Sequence, residues 1–473
     1  MDSERGTEGQ RRPVAVTERG PVRGVTGEHG VAAFRGIPYA ASPVGPLRFA
    51  PPAPPPGWSG VRDAALPGPD VPQAPSRLAV VTGPHASHGD EEGCLTLNVW
   101  APEGALDAGA VPRGVLVWFH GGGFTTGSGG WDWFDGARLA ALGGIVVVTA
   151  NYRVGPLGWL YLPELGATNL GSRDQTAVLH WVRDNIASFG GDPALITVGG
   201  QSAGAYSALC LAVDPATRPL VRRVIAESGP WGLAPQEPAE AAEVTDAYLR
   251  LRGVGHPQEL REMPAERLVS AYGRLAAERA RPGDVAPPMY PVLGGAGVPR
   301  APMAAVAAGG LDGTDVLLGS AQDEMTAFHA ASPAMFPTAD GTERVFGAGV
   351  TEIASHCAER GRPAYVYRFT RRPPGDDGTL GATHCSELPF LFGTFAAFAD
   401  APMLGPVDDA DRALARSFGG ALAAFVANGR PDAGGDGGDG GDCDDGDTEG
   451  RGPWRPYEPG AGAEVRRFGP PVR

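Results

Sequence analysis

The stretch Leu195-Ile196-Thr197-Val198-Gly199-Gly200-Gln201-Ser202-Ala203-Gly204-Ala205 reads as strand, sharp turn and helix. Its β-branched run ends at Gly200, and the small and apolar residues of 203–211 can start a helix at once, which leaves Ser202 at the corner. Gly200-Gln201-Ser202-Ala203-Gly204 is a G-x-S-x-G elbow, whose glycines remove side chains that would clash with a strained turn. Such a turn lifts the serine hydroxyl clear of a sheet and sets backbone N–H groups of the helix start beside it.

Upstream of the elbow, residues 94–100 alternate apolar and polar as a strand does, and 114–119 and 145–150 are nearly continuous apolar runs of the kind that fill the centre of a parallel sheet. Between the last two lies His120-Gly121-Gly122-Gly123-Phe124, a loop whose adjacent glycines free the backbone. Ala177, Val178, Trp181, Val182 and Ile186 recur at helical spacing within 171–189. Downstream, 224–226, 315–318 and 364–369 read as strands and 409–426 as a helix. This alternation predicts an α/β fold with a mostly parallel central sheet and helices on both faces. Short Gly-separated segments at 14–17, 20–25 and 31–34 predict an antiparallel entry, and the Pro-rich 43–56 an irregular connection.

Residues 1–12 are polar and predict a mobile tail; 13–473 read as a single domain, interrupted at 434–452 by an Asp/Gly run that cannot offset the entropy of folding. Trp454, Tyr457 and Phe468 follow that run and are expected to pack back on the domain. All 39 basic residues are arginine, and against 54 acids they leave a net charge of −15, which disfavours nucleic acid and anionic membranes as partners. The five cysteines are odd in number and scattered, which argues against a disulfide framework or a zinc site. With no apolar leader at its start and no run of membrane-spanning length, the chain is expected in the cytoplasm, and nothing in it assigns an oligomeric state.

A serine hydroxyl is a poor nucleophile until a base takes its proton and an acid holds that base in the right tautomer. On an elbow-type sheet, acid and then histidine follow the serine in sequence. Of nine histidines, four lie downstream of Ser202. His256 sits in a Gly/Pro turn, His356 in a helical pattern, and His329 five residues from the candidate acid. His384, on the loop after the 364–369 strand, is where a base is needed. The acid falls within Gln322-Asp323-Glu324, where spacing leaves Asp323 and Glu324 both open. Donors for a developing oxyanion are expected from the N–H groups of Gly122, Gly123 and Ala203.

Taken together, the chain resembles the type-B carboxylesterases, the cholinesterase-like branch of the α/β-hydrolase fold. The resemblance is carried by Phe34-Arg35-Gly36-Ile37-Pro38-Tyr39-Ala40, Pro43-Val44-Gly45-Pro46-Leu47-Arg48-Phe49, the 94–100 strand, the 120–124 loop, Asn151-Tyr152-Arg153 and Asp174-Gln175. It continues through Asn185 to Pro193, the elbow, Glu227-Ser228-Gly229, Asp323-Glu324, and His384 with Glu387-Leu388-Pro389-Phe390. It implies Glu324, not Asp323, as the acid, and Ser228 as a group that hydrogen-bonds Glu324 or caps a turn. It also implies an ion pair between Arg48 and Glu92.

Four departures from the family pattern stand out. Gln201 replaces the usual Glu before the serine, which removes a charge that favours cationic esters. Gly93 replaces an Asp beside Cys94, and no cysteine precedes Cys94, so the family's N-terminal disulfide cannot form. Only 330–343 separates the acid loop from Arg344-Val345-Phe346, where relatives carry a longer excursion, implying a more open site. The Asp/Gly insert is not a family feature.

The expected activity is serine carboxylic ester hydrolysis through an acyl-enzyme, on small neutral ester molecules, without cofactor or metal. An amidase, carbamate hydrolase or lactonase with the same three residues is the alternative chemistry, and a non-catalytic binding protein the alternative class. Trp131, Trp133 and Phe134 are candidates for the wall of an acyl or alcohol pocket, or for core; Cys385 reads as a small packing residue.

Overall fold

The computed structural model describes residues 12–337, 340–431, 453–460 and 465–470. The expected tail, except Arg12, and the expected 434–452 insert fall outside these residues, as do 338 and 339 of the short 330–343 segment.

Strands β1 (Val14–Thr17), β2 (Gly20–Arg23) and β5 (Arg62–Asp63) form a small sheet. The main sheet takes β3 (Val25–Thr26), β4 (Ala32–Pro38), β6 (Thr96–Ala101), β7 (Arg113–Phe119), β8 (Val146–Ala150), β9 (Gly191–Gln201), β10 (Arg223–Glu227), β11 (Asp315–Ala321), β12 (Tyr365–Phe369) and β13 (Val465–Phe468). Their order across it is β13-β12-β11-β10-β9-β7-β8-β6-β4-β3. From β13 to β8 every neighbouring pair is parallel; β8 to β3 is antiparallel, as the entry segments predict.

The segment read as one strand over 20–25 divides at Gly24. A Cβ there would stand 2.4 Å from the Ala33 carbonyl oxygen, so the chain bends and β3 joins the large sheet instead. The helix before the elbow spans Leu170–Asn185, continued by a 3₁₀ turn, Ile186–Phe189. It buries Val178, Trp181 and Val182 on one face, while Asp174, fully buried, grips Arg153 with two 2.7 Å hydrogen bonds. Trp454, Tyr457 and Phe468 are buried, and Phe468 packs on Phe418 at 4.9 Å between ring centroids, so the aromatic C-terminal segment does return to the core.

Parallel strands place their carboxyl ends along one edge, and the loops there are where such sheets build sites. Here these are the loops after β7, β9, β10, β11 and β12.

Candidate active site

The chain turns from β9 into the helix Ala203–Val213 in a single residue, Ser202, at φ 58° and ψ −123°. A non-glycine residue held there costs about 1–3 kcal/mol, so the surroundings must enforce it. They do so by proximity. A Cβ on Gly200 would lie 2.4 Å from the Gly204 carbonyl carbon, and one on Gly204 only 1.9 Å from the Phe119 oxygen. The strand and helix therefore approach as closely as backbone allows, and the Ser202 N–H donates to the Glu227 carbonyl at 2.8 Å.

Ser202 Oγ meets His384 Nε2 at 2.9 Å. On the other face of the ring, His384 Nδ1 makes a short contact with Glu324 Oε2. Glu324 Oε1 accepts the Ala321 N–H at 2.7 Å, which fixes the carboxylate. The choice left open by spacing falls on Glu324, because Asp323 points elsewhere: its Oδ2 accepts the Ala382 N–H at 2.9 Å and ties the acid loop to the histidine loop. Phe328 and Phe346 pack 5.4 and 5.1 Å from the imidazole and hold its plane. Burial works against the imidazolium, but Cys385 and the Glu324 carboxylate favour it and raise the His384 pKa above the usual value.

The glycine loop after β7 lies against the elbow, since a Cβ on Gly121 would sit 3.2 Å from Ser202 Cβ. Gly122 and Gly123 adopt φ 107° and 61°, and the Gly122 oxygen accepts from Thr125 and Thr126 at 3.1 Å each. That turn consumes the carbonyl and leaves the amides: among the described residues neither the Gly122 nor the Gly123 N–H has a protein acceptor. Ala203 opens its helix, so its N–H has no acceptor within the helix either. His120 is held neutral, its pKa lowered by burial to about 4, and stacks on Tyr152 at 4.3 Å. A serine whose proton faces an imidazole backed by a carboxylate, with free amides nearby, can attack a carbonyl carbon and stabilise the resulting oxyanion.

A cavity of about 60 Å³ stands over this group, walled by Trp131, Trp133, Phe134 and Leu388. All three aromatics line this cavity, and two of them, Trp133 and Phe134, are also core residues.

Two expectations need correction. Ser228 donates to Glu387 Oε1 at 2.9 Å rather than to Glu324, because Glu324 is already engaged by Ala321 and His384. Arg48 pairs with Glu91, its Nε donating to Oε1 at 2.8 Å. The turn at Gly93, φ 84°, buries Glu91 and leaves Glu92 outside. Sequence reasoning also gave no part to the carboxyl group of Glu227, buried near Glu387, or to Arg77, although Glu227 and Glu387 both sit in the motifs that carried the resemblance.

The family model described as the carboxylesterase family matches residues 11–343 and 338–466. The chain belongs to the carboxylesterase family. It is an enzyme that hydrolyses carboxylic esters. This carboxylesterase is 36% identical over 458 residues to a phenmedipham hydrolase of Pseudarthrobacter oxydans, covering 89% of this chain and 91% of that one. It is 33% identical over 457 residues to a para-nitrobenzyl esterase of Bacillus subtilis, covering 88% and 90%. Its fold matches a carboxylesterase of Geobacillus stearothermophilus with a TM-score of 0.80 at 32% identity, over 97% of this chain and 96% of that one. Among the described residues of the esterase, no helix is long and apolar enough to cross a membrane.

Proposed function

We propose that Ser202 is the nucleophile of this esterase, His384 its general base and acid, Glu324 the carboxylate that orients His384, and the N–H groups of Gly122, Gly123 and Ala203 its oxyanion hole. Ser202 attacks the ester carbonyl as His384 takes its proton; His384 then protonates the leaving alcohol, and water releases the acid by the same route. One observation carries the assignment: Ser202 Oγ and Glu324 lie on opposite nitrogens of one buried imidazole. Ser228 and Gln201 act at one remove, Ser228 by fixing Glu387 and Gln201 by lying 3.4 Å from His384 Nε2.

The substrate class is a small-molecule ester whose alcohol carries no cation, since Gln201 supplies no charge beside the serine. The cytoplasm is the proposed location, a reading supported by Cys94, Cys210, Cys357 and Cys385, all free thiols.

Labelling with a fluorophosphonate tests the assignment. The wild-type chain is expected to label and Ser202→Ala not to, with 4-nitrophenyl ester hydrolysis down on the order of 10⁴- to 10⁶-fold. Unchanged labelling of Ser202→Ala would overturn it.

A further inference from the structure

The cavity above Ser202 adjoins a second one of about 440 Å³, and Arg77 lines both. A Cβ built on Gly123 would stand 3.9 Å from Arg77 Nη2, which sets the guanidinium against the glycine loop. Three contacts hold it there. Nη2 donates to the Val285 oxygen at 2.8 Å, and the group lies 5.1 Å from the Phe328 ring and 5.9 Å from Phe336. Phe328 is the ring that also packs on His384.

What the guanidinium lacks is an anion. A guanidinium carries five N–H donors in a planar fork suited to a carboxylate. Among the described residues Arg77 forms no ion pair, and its Nε and Nη1 have no acceptor. The larger cavity is lined by Asp284 and Glu240 but also by Arg279 and Arg281, so cations outnumber anions there. Asp284 is occupied with the Ala286 N–H at 2.9 Å. Arg77 is an exposed residue whose head stands against the cavity wall, where the surrounding protein lowers its pKa against the opposing effect of Tyr272 and Asp284. A guanidinium held by three contacts on the wall of the cavity above Ser202, with Nε and Nη1 still open, is placed to receive an anion that enters that cavity.

We infer that Arg77 is an anion subsite, and that this esterase takes esters carrying a second, free carboxylate a few bonds from the scissile carbonyl. The inference rests on the assignment of Ser202 above, and it adds to it: the ester group is neutral while a remote part of the substrate is anionic.

The test compares mono-4-nitrophenyl adipate with 4-nitrophenyl heptanoate, two acyl chains of similar length with and without a terminal carboxylate. Nitrophenol release is measured above the Ser202→Ala background. The ratio of kcat/KM values, half-ester over heptanoate, is expected to fall roughly ten- to hundred-fold in Arg77→Gln, the range of a charge-assisted hydrogen bond. Arg77→Lys, which keeps charge but not the fork, should give an intermediate ratio. A ratio in Arg77→Gln within about twofold of wild type overturns the subsite while leaving the esterase assignment standing. If wild type releases nitrophenol from neither ester, the Ser202 assignment fails and the subsite with it.

Discussion

The hydroxyl of Ser228 donates to Glu387 Oε1 at 2.9 Å and ties the corner after β10 to the loop that carries His384. Glu387 is fully buried, and burial together with the Glu324 charge raises its pKa to about 7 from the usual 4.5. Glu227, buried beside it without a partner for either side-chain oxygen among the described residues, also has its pKa raised, by burial and by Glu387. The folded protein thus keeps protons that the unfolded chain has released. Stability from Glu387 is full below pH 4.5 and is lost as pH climbs through 7, by about 3 kcal/mol. Denaturant unfolding at pH 5 and pH 8 should show this drop in the wild type and a smaller one in Glu387→Gln; equal drops would refute it.

On the proposed assignment the same linkage governs activity through His384, which must be neutral to accept the Ser202 proton. Its raised pKa places the ascending limb of kcat/KM above pH 6.5, with activity gained as pH rises through it. In Glu324→Gln the carboxylate that favours the imidazolium is gone while burial remains. The limb should move to lower pH and the rate fall on the order of 10⁴-fold. A limb that stays in place in Glu324→Gln would show that the contact between Nδ1 and Glu324 does not set the imidazole's charge.

How much of this was legible in the sequence follows from how local each determinant is. The elbow, the glycine loop and the β7, β8 and β9 runs announce themselves because their geometry is encoded within a few consecutive residues. Glu324 and Asp323 are neighbours of like chemistry that spacing cannot separate; the family resemblance points to Glu324, and the fold turns one to His384 and the other to Ala382. Arg48 was assigned a partner one residue off because the Gly93 turn decides which of two adjacent glutamates faces inward. The helix Ala265–Arg279 does carry a periodic apolar face in Leu268, Ala271, Tyr272 and Leu275, a signal that could have found it. Arg77 offers none, since its meaning comes from Gly123, Val285 and Phe328, which are distant in sequence.

Two glycines make opposite predictions from the same substitution. At Gly204 an added methyl meets the Phe119 oxygen at 1.9 Å, an atom of a central strand that cannot yield. Gly204→Ala should therefore lower Tm and abolish measurable esterase activity, despite the better helix propensity of alanine. At Gly273, inside the helix Ala265–Arg279, nothing stands within 4 Å of the new carbon. Gly273→Ala is expected to stabilise by about 0.5–1 kcal/mol. Thermal melts of both variants check the pair, and a Gly204→Ala enzyme with normal Tm and activity would contradict the close approach of β7 to the elbow.

Gln201 keeps a carboxylate away from the serine. It is 1% exposed, its Nε2 is 3.4 Å from His384 Nε2, and its Oε1 accepts the Cys385 thiol at 3.6 Å. Gln201→Glu keeps the shape and adds a charge, which would then lie beside both the imidazole and the leaving alcohol. The ascending limb should move up, because a further anion favours the imidazolium. A cationic alcohol should gain as well: kcat/KM for butyrylcholine relative to its neutral 3,3-dimethylbutyl analogue is expected to rise about tenfold, worth about 1.4 kcal/mol. Burying the new carboxylate should cost stability of about 1–3 kcal/mol, read as a lower denaturation midpoint. A substrate ratio that does not move, with the limb shifted, would mean that the alcohol leaves on the side of the serine away from residue 201.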